Sequence, residues 1–207
     1  MLLSVNPTRM EMLGLRKRLA VAMRGHHMLK DKLDELVRRF LELVQQYQGL
    51  REDVEKRLVD AIGNFTVARG AVRGTVMDQV LRYNDARVTV TRRPKRILNL
   101  IVPEFKVSDA GTVYSYGFAD TTATLDAALG TLGDLLPAMV RLAQLEKSIQ
   151  LLAVEIETTR RRVNALEYIL IPAIEETIHS IRMKIEERDR SALTRLMKVK
   201  EIIQAKG

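Results

Sequence analysis

The chain contains no cysteine and no tryptophan, and its aromatic residues amount to only 4%. Without thiols there is no disulfide framework, no thiolate metal site and no cysteine nucleophile. So few rings, together with a charged fraction of 29%, fit a long helical assembly better than a packed globular core. A long apolar run is also missing. The longest stretch near Tyr168 is Ile169–Ile174, interrupted by Pro172 and well short of the roughly 18 residues a membrane span needs. The opening Met-Leu-Leu-Ser turns charged by Arg9 and has no secretory core, so a soluble, cytoplasmic protein is expected.

Chemical motifs are equally sparse. A phosphate-binding loop needs Gly followed by Lys and Ser or Thr, and no Gly-Lys pair occurs anywhere. No HExxH, acidic calcium loop or nucleophile elbow occurs either. His26, His27 and His179 have no metal-ligating companion at helical spacing. Glu155, Glu157, Glu175 and Glu176 sit among Arg and Lys, where ion-paired solvent faces are the default. The expectation is no catalytic residue, no cofactor and no metal.

What the chain does have is period. From Met12, apolar positions recur at Leu15, Leu19, Ala22, His26, Leu29, Leu33, Leu36, Phe40, Leu43, Tyr47, Leu50 and Val54 in steps of three and four. That is the spacing of a coiled-coil seam. Leu58, Ile62 and Phe65 extend it toward Arg69, with Gly63 a weak point. His26 on this seam reads as a buried polar residue that sets register. A second seam runs through Leu142, Leu145, Ile149, Leu152, Ile156, Thr159, Val163, Leu166 and Leu170. It then steps by four to Ile174 and Ile178, a stutter that locally unwinds a supercoil, and resumes at Ile181 and Ile185 to end near Leu196, Val199 and Ile203.

Neither stripe can bury itself, so the two helices should close on each other as an antiparallel pair. At about 1.5 Å per residue, 12–68 spans roughly 85 Å and 134–204 roughly 105 Å, which predicts a rod. The fold class is therefore mainly α: a long antiparallel two-helix coiled coil from residues 1–72 and 121–207, with a small insert at 73–120. Asn6-Pro7-Thr8 reads as the first helix start, with Glu11 favourable near its dipole. The insert predicts a short helix at Val76–Tyr83 and a β-hairpin, with a strand at Arg87–Thr91, a basic turn at Arg92–Arg96 and a second strand at Ile97–Val102. Ser108–Thr124 reads as loop with a candidate third strand at Val113–Tyr116. Gly130, Gly133 and Pro137 argue for a bend or break early in the second long helix, and Pro172 for a kink that frees the Tyr168 carbonyl.

The net charge of +8 gathers at the termini. Residues 1–30 carry +5 and residues 182–207 carry +4, and an antiparallel pairing puts both at one end. A solvated charged face and a binding tip are both open readings of that end. With Val163 at seam position a, Arg160 and Arg162 flank the seam while Arg161, Asn164 and Tyr168 face outward, with Ile169 and Ile171 nearby. An outward Tyr among isoleucines reads either as scattered surface apolars or as a docking patch.

Thr159–Tyr168, TRRRVNALEY, followed by Ile171-Pro172, resembles the signature of the D subunit of the V-type and A-type rotary ATPases. Asn6–Met10, Leu29–Lys32 and Asp34–Leu36 resemble that family's opening pattern, and Glu186–Arg188, Thr194–Leu196 and Lys198–Lys200 its closing one. The resemblance implies a non-catalytic central rotor shaft whose termini enter a catalytic A3B3 hexamer of A and B subunits. It also implies a small F subunit along the shaft and a funnel-shaped subunit beneath it on the membrane ring. Membrane contact would then be only indirect, on the cytoplasmic side, and ATP would be bound by the hexamer. On this reading Arg9, Arg16, Arg18, Arg195, Lys198 and Lys200 form a hexamer-bearing tip, while Arg160, Arg161, Arg162, Asn164, Glu167, Tyr168, Ile171 and Pro172 form a docking signature. The competing readings are a basic coiled-coil arm for nucleic acid, suggested by a pI near 9.9, and a membrane-tethering or scaffolding hairpin. Against the former, Phe40, Tyr47 and Phe65 look committed to the seam and unavailable for stacking.

Overall fold

The computed structural model describes residues 5–82, 85–114, 116–117 and 121–206. Met1–Ser4, Tyr83 and Ser115, which figured in the expectations above, lie outside them. Helix α1 spans Arg9–Ala71 and α2 spans Gly74–Arg82. Strands β1 (Arg87–Ile97) and β2 (Leu100–Ala110) form one antiparallel ribbon. Helix α3 (Ala123–Ala165) leads through a π turn at Leu166–Leu170 into α4 (Ile171–Lys206). The chain is mainly helical, as expected, with the ribbon between its two long helical stretches. Two compact units form, residues 1–35 with 156–207 and residues 36–155.

In the first unit, Thr8 caps α1: its Oγ1 accepts the Glu11 N–H at 3.2 Å. Leu15 packs on Ile174 and Ile181, with Met12, Leu19, Ile178 and Ile185 around them. Arg9 pairs with Asp189 at 2.7 Å while His26 meets Glu167 at 3.3 Å. Partners that descend on one helix as they rise on the other define an antiparallel seam. Every α1 seam position expected from Met12 to Leu33 is buried or half-buried. The seam stops at Ile185, short of expectation, because α1 begins at Arg9 and leaves the rest of α4 uncovered. Leu196, Val199 and Ile203 are accordingly exposed.

In the second unit the α1 seam continues through Leu36, Leu43 and Val54, all buried. Here the expected Ile62 is wrong: it is 54% exposed, and Ala61 at 1% takes the place. Leu58, Ala61, Phe65 and Ala68 keep the three-and-four alternation, so the extra spacing here is confined to the repeated four from Leu50 through Val54 to Leu58. Gly63 does not interrupt the helix. Ala68, Val72, Met77, Val80 and Leu125 form a core closed by Phe65, Val76, Tyr116 and Leu129. Burial, and then a hydrogen bond donated to Asp126, push the Tyr116 phenol well above its usual range. Pro137 does not break α3: it and Gly133 are exposed, so the carbonyl that loses its donor is open to water.

The ribbon corrects two expectations. Arg92–Arg96 is not a turn but lies inside β1, and the turn is Leu98-Asn99, with Leu98 at φ 52°. Pro94 stands opposite Pro103. Neither has an N–H, so the pair occupies a non-hydrogen-bonded site where both nitrogens point away from the partner strand. By the same alternation the Phe105 N–H also points outward, and it donates to Gln144 Oε1 of α3 at 2.8 Å. The candidate strand at 113–116 does not form at its described residues. Gly111, at φ 86°, lies so close to the Asp85 carbonyl that a Cβ would come within 2.3 Å of it.

Thr159 occupies its seam place at 1% exposure, and its Oγ1 has no hydrogen-bond partner among the described residues. Thr177 and Ser148, also buried, donate instead to the carbonyls four residues back. A buried hydroxyl without a partner costs about 1–3 kcal/mol. Thr159→Val should therefore raise the unfolding free energy by about 1 kcal/mol in a denaturant titration, with an unchanged slope.

Candidate functional site

The signature stretch lies where the helix changes its winding. At Leu166–Leu170 the Ile171 N–H reaches the Leu166 carbonyl, an i→i+5 bond that inserts one residue into the turn. The packing explains why. A strict heptad from Val163 and Leu166 would continue through 170, 173, 177, 180 and 184. Beyond the turn the residues that pack with Leu15 are Ile174, Ile178, Ile181 and Ile185, each one position late, while Ala173 and Thr177 of the strict heptad also stay buried. The expected stutter is thus a one-residue excess, absorbed in a single turn rather than spread as unwinding. Pro172 follows directly and is exposed, and the chain stays helical through it, as expected.

Around this turn the seam opens. Val163 is buried and Leu166 half-buried, but Leu170 is 40% exposed, and deep burial returns only at Ala173 and Ile174. Facing it on α1 are Ala22 and Gly25, which add almost no side chain. A groove of about 590 Å³ results, lined by Lys17, Arg18, Val21, Ala22, Gly25, Leu166, Leu170 and Ile174. Sequence reasoning missed most of this lining. Its signal was the small pair Ala22 and Gly25 in the same seam as the excess residue.

The signature side chains divide by surroundings. Arg160, Arg161, Arg162 and Asn164 are all exposed. Arg161 pairs with Glu157 of its own helix, and among the described residues neither Arg160 nor Arg162 reaches a carboxylate across the seam. Glu167 meets His26 at 3.3 Å, and that histidine is half-buried rather than buried as expected. Tyr168 is 70% exposed, with Ile169 beside it exposed, Ile171 half-buried and Pro172 exposed. The turn gathers these apolar groups on the surface, adjoining the groove.

The basic residues expected at the tip fall in the same unit. Arg9 is held by Asp189, and Arg188 donates to the Pro7 carbonyl at 3.2 Å. Arg16 lines a cavity of about 450 Å³ with Arg9, Met12, Leu13, Arg182, Ile185 and Glu186. Arg195, Lys198 and Lys200 lie on the uncovered part of α4, where Lys198 pairs with Glu201 at 3.0 Å. Among the described residues no His, Asp or Glu cluster has the geometry to hold a metal ion, and no helix is long and apolar enough to cross a membrane.

The sequence that forms this arrangement has relatives. The family model for the ATP synthase D subunit matches residues 11–201. The chain belongs to the ATP synthase D subunit family. It is 49% identical over 204 residues to the V-type ATP synthase D subunit of Thermoanaerobacter sp. (strain X514), covering 98% of each chain. Identity to the D subunit of Clostridium novyi (strain NT) is 47% over 207 residues, covering 98% of this chain and 96% of the relative. For Clostridium botulinum (strain Alaska E43 / Type E3) it is 46% over 210 residues and 99% of each. The family match runs across the π turn and the groove, so both lie within the shared region.

Seam and surface should respond differently to substitution. Val163→Ala removes buried methyl groups and should cost about 2 kcal/mol, whereas Tyr168→Ser should change stability by less than about 0.5 kcal/mol. Thermal melts followed by circular dichroism measure both, and a large loss from Tyr168→Ser would place that ring in the fold rather than on a free surface.

Proposed function

We propose that this chain is the central rotor shaft of a V/A-type ion-translocating ATPase, carrying torque between a catalytic A3B3 hexamer and the membrane ring. On this reading residues 1–72 and 121–207 work as one shaft and 73–120 as an insert. The shaft is non-catalytic, and ATP is handled by the hexamer. The F subunit binds along it, the funnel-shaped subunit receives it on the cytoplasmic side of the membrane, and the membrane is touched only indirectly.

The observation that carries the proposal is the uncovered end of α4. Past Asp189, which stands across from the start of α1 at Arg9, the helix runs on to Lys206. Leu193, Leu196, Met197, Val199, Ile202 and Ile203 are exposed along it, interleaved with Arg195, Lys198 and Lys200. An apolar and cationic helix of this length needs a socket supplied by other chains. The hexamer-bearing tip, Arg9, Arg16, Arg18, Arg195, Lys198 and Lys200, would meet carboxylates or carbonyls there. Seam packing between the paired helices gives the stiffness that torque demands. The signature residues Arg160, Arg161, Arg162, Asn164, Glu167, Tyr168, Ile171 and Pro172 would supply the docking surface further along.

The test is reconstitution of the purified chain with an A3B3 hexamer and the F subunit, followed by native mass spectrometry. One copy per hexamer, together with one copy of the F subunit, is expected. Failure to join either, with salt-sensitive retention on nucleic acid instead, would overturn the reading in favour of a nucleic-acid arm. Within an assembled complex, charge reversal at the six tip residues should lower coupled ATP hydrolysis several-fold, and unchanged hydrolysis would remove them from the bearing.

A further inference from the structure

We infer that the π turn and the groove beside it form a torsional joint, the height at which the paired helices of the first unit twist most readily. The joint is a property of the free chain, and only its use rests on the rotor reading.

A pair of helices resists twist in two ways: through the hydrogen-bond ladder of each helix, and through the side chains that interlock between them. Both weaken here at one height. The ladder is wound wide at Leu166–Leu170, where the Ile171 N–H reaches the Leu166 carbonyl, and Pro172 directly after it has no N–H to give. Along the seam, Thr159 and Val163 are buried before the turn, and Ala173, Ile174, Thr177 and Ile181 after it. From 164 to 172 no residue is buried. Facing this gap, α1 offers Ala22, a single methyl, and Gly25, which has no side chain, so the groove stays open. His26 and Glu167 meet at 3.3 Å at this height, but two rotatable side chains in an ion pair do not interlock.

The packing past the turn also tolerates rotation. Ile174, Ile178, Ile181 and Ile185 surround Leu15, yet Ala173 and Thr177, each one residue earlier, are buried too. A small rotation of α4 about its axis therefore moves cover from one stripe to its neighbour instead of opening the seam. Few buried apolar contacts mark the parts of a fold that yield first. Elements loaded in series carry the same torque, and the softest takes up most of the twist. On the rotor reading, twist then collects in the signature stretch, between the uncovered end of α4 and the seam that ends at Val163.

The chain has no cysteine, so introduced pairs report without interference. Arg160→Cys with Glu175→Cys puts spin labels at exposed positions on either side of the turn. Gln45→Cys with Asp60→Cys, at the same spacing within α1, is the reference. Pulsed electron paramagnetic resonance on the free chain should give a distance distribution about twice as wide across the turn as in the reference. Two substitutions should narrow it toward the reference. In Gly25→Leu the side chain enters open space in the groove, against Leu166 and Leu170. Pro172→Ala returns an N–H to the ladder, and both replacements are better helix formers than the residues they replace. Each variant should therefore melt at the same temperature as the unsubstituted chain or above it. Equal widths in the two labelled pairs overturn the joint, and so does a wide distribution that neither substitution narrows. Neither result involves the hexamer, so reconstitution with A3B3 and the F subunit judges the rotor reading separately.

Discussion

The constraint on which the structure depends is register between two apolar stripes that have no other cover. Neither α1 nor the α3–α4 stretch can hide its stripe alone, and the chain contains few large residues with which to build a separate core. Each seam side chain must therefore meet the opposite helix at the right height and phase. Burying a residue such as Leu15 or Leu152 contributes about 1.5–3 kcal/mol, so losing phase over two heptads would exceed the stability of most domains. The chain accepts a locally costly π turn because the alternative is to bury the wrong face of α4 from Ile174 onward.

That compromise links folding to function. Where the register is adjusted, the seam thins, and where it thins, apolar surface is left for another chain. Tyr168, Ile169 and the groove are exposed because the helix spends one residue on phase rather than on packing. π turns recur at functional sites for this kind of reason: a local departure from the regular ladder redirects side chains that regular winding would bury. In this member of the family the departure falls inside the signature stretch.

Much of this was legible in the residues. The three-and-four alternation located the α1 seam almost residue by residue, since a leucine every three or four positions has few other uses. It failed at Ala61, whose methyl is too weak a signal beside Ile62. The extra spacing after Leu170 was visible, but its resolution as a π turn was not, because apolar spacing reports phase and not the hydrogen bond that restores it. In the ribbon, Arg92–Arg96 looked like a turn because Pro and clustered charge are common there. Leu98-Asn99 carries only a weak turn signal, and the facing of Pro94 by Pro103 is a register fact that no single strand reveals. The groove needed both helices at once, since Gly25 and Leu170 lie far apart in the chain.

The paired prolines have a consequence for self-association. A two-stranded ribbon offers two raw edges to any extended segment, including the same ribbon of another molecule. Here each edge lacks a donor at the same height, at Pro94 on one side and Pro103 on the other. On the second edge the Phe105 donor is already taken by Gln144. A third strand laid against either side would find its ladder broken near the middle, where continuous pairing matters most. Each edge of the ribbon is thereby a poorer template for a further strand.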